Sequence, residues 1–117
     1  MKRFSLRNLF AWLLAAFFVI GGTMNIFATE QILADYDRWG YPGWFHYLTG
    51  TLEWASAILM IFPATRLAGS ALAGCVMLGA AATVLSHGEY GHAVPPLVVL
   101  ALVCLNLWLT WRARNTA

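Results

Sequence analysis

The feature that most constrains this chain is the length of its apolar runs. Four of them, residues 9–28, 44–62, 67–85 and 94–111, are separated only by short polar turns. A helix rises 1.5 Å per residue, so about 20 apolar residues match the roughly 30 Å hydrocarbon core of a bilayer. The fourth run is strictly apolar only from Pro96 to Trp111 and reaches spanning length through Ala93 to Pro95 or through tilt. Composition agrees, with 61% hydrophobic and 10% charged residues against about half and about a quarter in soluble domains. The expectation is an all-α integral membrane protein, a single domain over residues 1–117 built as an antiparallel four-transmembrane-helix bundle.

The N-terminal stretch has the basic start and apolar run of a secretory signal, but the run is longer than a signal core and "NIFATE" lacks a small-x-small cleavage pattern. It reads as a retained first helix. Lys2, Arg3 and Arg7 precede that helix, Arg66 lies between the second and third, and Arg112 and Arg114 follow the fourth. Six of the seven basic residues therefore share one side, with Arg38 opposite. The positive-inside rule then places both termini of this multi-pass chain in the cytoplasm. No basic patch with interleaved aromatics suggests nucleic acid.

The longest connection, "TEQILADYDRWGYPG", places Ile32, Leu33, Tyr36 and Trp39 near helical spacing among charges, which predicts a short helix on the membrane surface. Trp39, Tyr41, Trp44 and Tyr47 fit an aromatic belt. The short "FPATR" and "SHGEYGHAVP" turns make neighbours of the helices they join. In the third helix Ala71, Cys75, Gly79, Thr83 and His87 recur every four residues, a small-residue stripe suited to close helix packing, with a homodimer face as its second use. Cys75 and Cys104 lack CxxC spacing and read as small packing residues.

Chemistry is concentrated on a few polar residues inside these runs. Helix two carries His46, Gly50, Glu53 and Ala57 on one face, flanked by Thr49 and Ser56. Glu53 sits about 13 Å below the outer boundary, near the midplane. A carboxylate there must face inward and be paired or hold a proton, because exposure to lipid is costly. Counting along straight helices puts Asn106 near its depth and Asn25, His46, Ser86 and His87 in an outer polar tier. Glu53, His46, His87, Asn106, Asn25 and Thr49 are thus the candidate ligand- or proton-binding residues, while Glu89 and His92 read as solvated loop residues. The histidines lack metal-site spacing, and no phosphate loop, HExxH or nucleophile elbow is present.

"GGTMNIFA" in helix one, "WGYPGWFHYLTGTLEWASAILMIFPATR" across helix two, "LSHGE" ending helix three, then "PP" and "RAR" around helix four together resemble the DoxX-like family. The G-Y-P turn followed by G-x-x-E is the most specific part. Members of that family are small bacterial four-helix membrane proteins. Relatives named DoxX and DoxD are linked with thiosulfate:quinone oxidoreductase and with membrane redox or oxidative-stress assemblies. The resemblance implies that Glu53 is the family's helix-two acid and His87 its polar end of helix three. It also implies a redox-associated accessory subunit with a membrane redox partner, binding a quinone or another lipophilic small molecule near Glu53, rather than an enzyme on its own. Two other readings stay open: a small proton-coupled transporter using Glu53, as in the small multidrug resistance family, whose key acid lies in helix one, and a purely structural subunit.

Overall fold

The computed structural model describes residues 6–116, and the described part is helical without any strand. Its elements are α1 (Leu6–Ile26), α2 (Glu30–Arg38), α3 (Phe45–Ile61), α4 (Arg66–Ser86), a short 3-10 turn (Tyr90–Ala93) and α5 (Val94–Thr116). Lys2 and Arg3, used in the orientation argument, lie outside the described residues. Three segments, Leu6–Ile26, Arg66–Ser86 and Tyr90–Arg114, are long and apolar enough to cross a membrane; α3 is shorter at 17 residues. Large apolar side chains such as Leu13, Ile20, Ile58, Leu78, Val98 and Trp108 face outward. The surface is therefore the inverse of a soluble protein's, as lipid solvation requires.

The expected surface helix is present as α2. Thr29 caps it, its hydroxyl oxygen accepting from the Ile32 amide at 3.3 Å, and Gly40, at φ +86°, turns the chain away after it.

The long helices pack in the order α1 on α3, α3 on α4 and α4 on α5, while α1 and α5 touch sparingly. Close approach of α1 to α3 depends on two glycines. A Cβ on Gly50 would lie 2.7 Å from the Gly22 carbonyl oxygen, and one on Gly22 would lie 2.8 Å from the Gly50 carbonyl oxygen. Trp12 donates to the Ile61 carbonyl at one end of this pair, and His46 meets the Asn25 carbonyl at the other, so α1 and α3 lie side by side over their length. Phe18, Ala57, Met60, Ala73 and Val103 fill the centre. Where α3 ends, its unpaired carbonyls are met by Thr65 (to Leu59, 2.7 Å) and by Arg66 (to Met60, 2.8 Å, and Ile61, 2.9 Å).

The small-residue stripe of α4 does not pack against another helix of this chain. Ala71, Cys75, Gly79 and His87 are exposed, and a Cβ on Gly79 would meet nothing. The buried ridge is instead Gly69, Ser70, Ala73, Met77, Ala81 and Val84. Both cysteines are free and exposed, which removes their packing role as well.

Candidate functional site

Beneath α2 lies a cavity of about 560 Å³. Tyr36 and Trp39 of α2 roof it, followed by Tyr41. Phe45, Thr49, Leu52 and Glu53 form the α3 wall; Cys75, Gly79 and Thr83 belong to the α4 wall, and Pro95, Pro96 and Val99 to the α5 wall. Three residues of the stripe that sequence assigned to helix packing, Cys75, Gly79 and Thr83, thus border a void. Small side chains spaced by four leave room equally well for a helix or for a ligand. Tyr41 stacks on Phe45, ring centroids 4.3 Å apart and nearly parallel, and its hydroxyl pairs with Thr83 at 2.5 Å.

Glu53 is buried on α3, and Asn25 of α1 holds it. Asn25 Nδ2 donates to Glu53 Oε1 at 2.7 Å and to the Gly21 carbonyl at 3.1 Å. Both partners are acceptors, so the amide orientation is fixed, and Asn25 Oδ1 accepts from the Tyr36 hydroxyl at 2.7 Å. The backbone carbonyl of Asn25 lies 2.7 Å from His46 Nδ1, which places the ring proton on Nδ1. One asparagine therefore joins α1, α2 and α3. Gly21 makes room for the acid, since a Cβ there would stand 2.9 Å from Oε2. Among the described residues no buried polar side-chain atom lacks a partner. Oε2, which has none, accordingly borders open space. Burial raises the Tyr36 phenol above its ordinary value, so at neutral pH it is a hydrogen-bond donor.

The candidate residues do not form a single group. Glu53 and Thr49 line the cavity. Asn25 and His46 stand behind them, facing α1 and α3 rather than the void. Asn106, expected at the depth of Glu53, instead donates to Ser70 at 2.7 Å and lies beside Met60. Met60 is seven residues along α3 from Glu53, so Asn106 is about 10 Å further from the α2 end. Counting residues from assumed helix ends carries every error in those ends into depth, and it is blind to rotation about the axis. His87 is exposed, its Nδ1 2.8 Å from the Thr83 carbonyl, and the outer polar tier is split.

Glu89 corrects the reading of a solvated loop. It accepts from Arg38 Nε at 3.0 Å and Nη2 at 2.9 Å, from Trp39 Nε1 at 3.1 Å and from His92 Nδ1 at 3.0 Å. It thereby fastens α2 to the turn after α4. The Arg38 guanidinium, then His92 and Trp39, hold its carboxyl at about 2, well below the usual range, while Glu89 and Asp35 raise Arg38. Tyr36, Tyr41 and Glu89 are the residues that sequence reasoning missed. The signal for Tyr36 was its place on the apolar side of an amphipathic helix, where a phenol has a buried ring and a polar tip. No three His, Cys, Asp or Glu side chains among the described residues gather as a metal site.

The sequence profile of the DoxX-like family matches residues 9–106. This chain belongs to the DoxX-like family. The match runs from the start of α1 to Asn106 and so includes the whole cavity and both of its anchors, Asn25 and Glu89. Comparison with curated proteins and with solved structures gives no significant match. With its apolar helices, this DoxX-like chain is a membrane protein.

Proposed function

We propose that this DoxX-like protein is a redox-associated accessory subunit of the bacterial inner membrane that binds a quinone, or a ring-bearing lipophile of that kind, in the cavity beneath α2. The single observation behind this reading is an apolar void of about 560 Å³ with only two carboxyls in its wall, Glu53 on α3 and Asp35 on α2, the usual form of a small-molecule site: apolar lining and few polar groups. Phe45 and Tyr41 offer aromatic faces for a flat ring. Glu53 Oε2, left open by Asn25, meets a ligand oxygen as a hydrogen-bond donor when it holds a proton and as an acceptor when it does not. That pairing suits a group alternating between carbonyl and hydroxyl.

The reading includes four spans with both termini in the cytoplasm. It is supported by α3 lying alongside α1 from Trp12 to Asn25, so that a bilayer crossed by one is crossed by the other.

The test is a titration of purified protein in nanodiscs with decylubiquinone, followed by tryptophan quenching at Trp39. Saturable quenching is expected in the native protein, roughly tenfold weaker in Glu53→Leu, as for one lost hydrogen bond worth about 1.4 kcal/mol, and absent in Gly79→Trp, which fills the void. Identical, non-saturating quenching in all three would sink the proposal.

A further inference from the structure

The opposite end of the molecule holds a second cavity, of about 350 Å³, bordered by Arg7 of α1, Arg66 of α4 and Arg114 of α5 together with Asn8, Asn106 and Thr110. All five acidic residues of the chain lie elsewhere, in α2, at the middle of α3 or in the turn after α4. Three guanidiniums therefore share a small space in which no carboxylate among the described residues offsets them. Arg66 is buried, with only 5% exposure. Arg66 is also rigidly held, with its Nε on Met60, one Nη on Asn8 (3.0 Å) and the other on Ile61. A guanidinium carries five N–H donors, so two of its own remain. Arg114 spends Nη2 on the Pro63 and Ala64 carbonyls, at 2.9 and 2.6 Å, which leaves Nε and Nη1 for another acceptor. Arg7 is exposed and makes no ion pair among the described residues.

We infer that this basic cavity is a binding site for a phosphate group, supplied by the headgroup of an anionic phospholipid. Fixed guanidinium forks match phosphate oxygens better than any neutral acceptor does. An anion there removes the repulsion between Arg7 and Arg66, and the first turn of α4 adds its own amide dipoles at Arg66. The lipid is favoured over free phosphate because Leu109 and Ala113 line the same cavity beside the outward-facing Trp108 and Trp111, where acyl chains would lie. Basic pockets between membrane helices are known to take such headgroups. The inference is independent of whether the cavity beneath α2 holds a quinone.

The test uses the full chain in dodecyl maltoside micelles, its thermal melting followed at constant ionic strength against added phosphatidylglycerol, phosphatidylcholine or inorganic phosphate. Phosphatidylglycerol should raise the melting temperature saturably and phosphatidylcholine should not. Arg7→Gln, a substitution at an exposed residue, should need about fivefold more lipid for the same rise, equivalent to about 1 kcal/mol for one arginine. Arg112→Gln removes the same charge outside the cavity, where Arg112 lies over Trp108, and should behave as the native chain. Equal rises with the two lipids, or equal weakening by Arg112→Gln and Arg7→Gln, would overturn the site. Inorganic phosphate acting as well as phosphatidylglycerol would uphold the phosphate site and overturn its assignment to lipid.

Discussion

At the scale of single residues, Asn25 rather than Glu53 is the structural joint. Its amide and carbonyl engage α1, α2 and α3 at once, whereas Glu53 uses one oxygen on it. Glu53→Gln retains an acceptor for Asn25 Nδ2, so its stability should stay within about 1 kcal/mol of the native protein, in line with the modest value of interhelical polar contacts. Asn25→Leu strands the Glu53 carboxyl and the Tyr36 hydroxyl together and should cost roughly 1–3 kcal/mol. Thermal melting of both variants in detergent decides. A native-like melt for Asn25→Leu would show that the joint carries no stability. A sequence shows where a costly acid sits but not which neighbour compensates it. Asn25 was legible as polar and outward of the midplane; its hydrogen bonds to Glu53 and Tyr36 were not, because they depend on how three helices are rotated.

At the scale of elements, the glycines distinguish helix contact from open space. Gly50→Ala drives a methyl against the Gly22 carbonyl and the Ile26 amide, both backbone, and overpacking of this kind costs about 1–3 kcal/mol. Gly79→Ala meets nothing and should be neutral or stabilising by up to about 1 kcal/mol through helix propensity. The two substitutions are chemically identical, so opposite shifts in melting temperature would verify the packing order of the helices, and equal losses would contradict it. The α2 element carries a pH dependence. Glu89 is held at about 2, below the ordinary carboxyl value, by Arg38, His92 and Trp39, and Arg38 also bonds Asp35. A depressed carboxyl contributes above its unfolded value and loses that contribution as pH falls toward the folded one. Docking of α2 should therefore persist at neutral pH, weaken below about pH 4.5 and be lost near 2. Hydrogen exchange of the α2 amides should accelerate over that interval and be fast at neutral pH in Glu89→Gln. Exchange that ignores both pH and the substitution would refute the anchor. The order of the long helices and the place of α2 were legible, since runs of apolar length and the Gly40 turn depend on local chemistry; their ends were less so, with α5 running to Thr116 rather than 111. The function of the Ala71 to His87 stripe was not, because small side chains at four-residue spacing satisfy two opposite surroundings.

At the scale of the whole molecule, the two ends have opposite chemistry. Arg7, Arg66 and Arg114 gather at one end, around the basic cavity, while α2, Glu89 and the roofed end of the apolar cavity occupy the other. Arg114 of α5 bonds the Pro63 and Ala64 carbonyls just after α3, and Arg66 bonds Asn8 near the start of α1, so the beginning of α1 and the end of α5 share a side. The proposed four-span reading accounts for that arrangement with an even number of crossings. Three of the helices meet a length criterion for spanning and α3, at 17 residues, sits at the lower limit of the usual range; if α3 did not cross, α1 and α5 would end on opposite faces. In that proposed reading the positive-inside rule makes the arginine end the cytoplasmic one. In a variant with Cys75→Ser and Cys104→Ala, a thiol introduced by Gln31→Cys on α2 should react with a membrane-impermeant maleimide in intact spheroplasts. One introduced by Arg112→Cys should react only after the membrane is opened. Labelling of both from outside would mean an odd number of crossings, and the reverse pattern would invert the molecule, placing α2 on the cytoplasmic side and removing the inner-leaflet lipid from reach of the arginines.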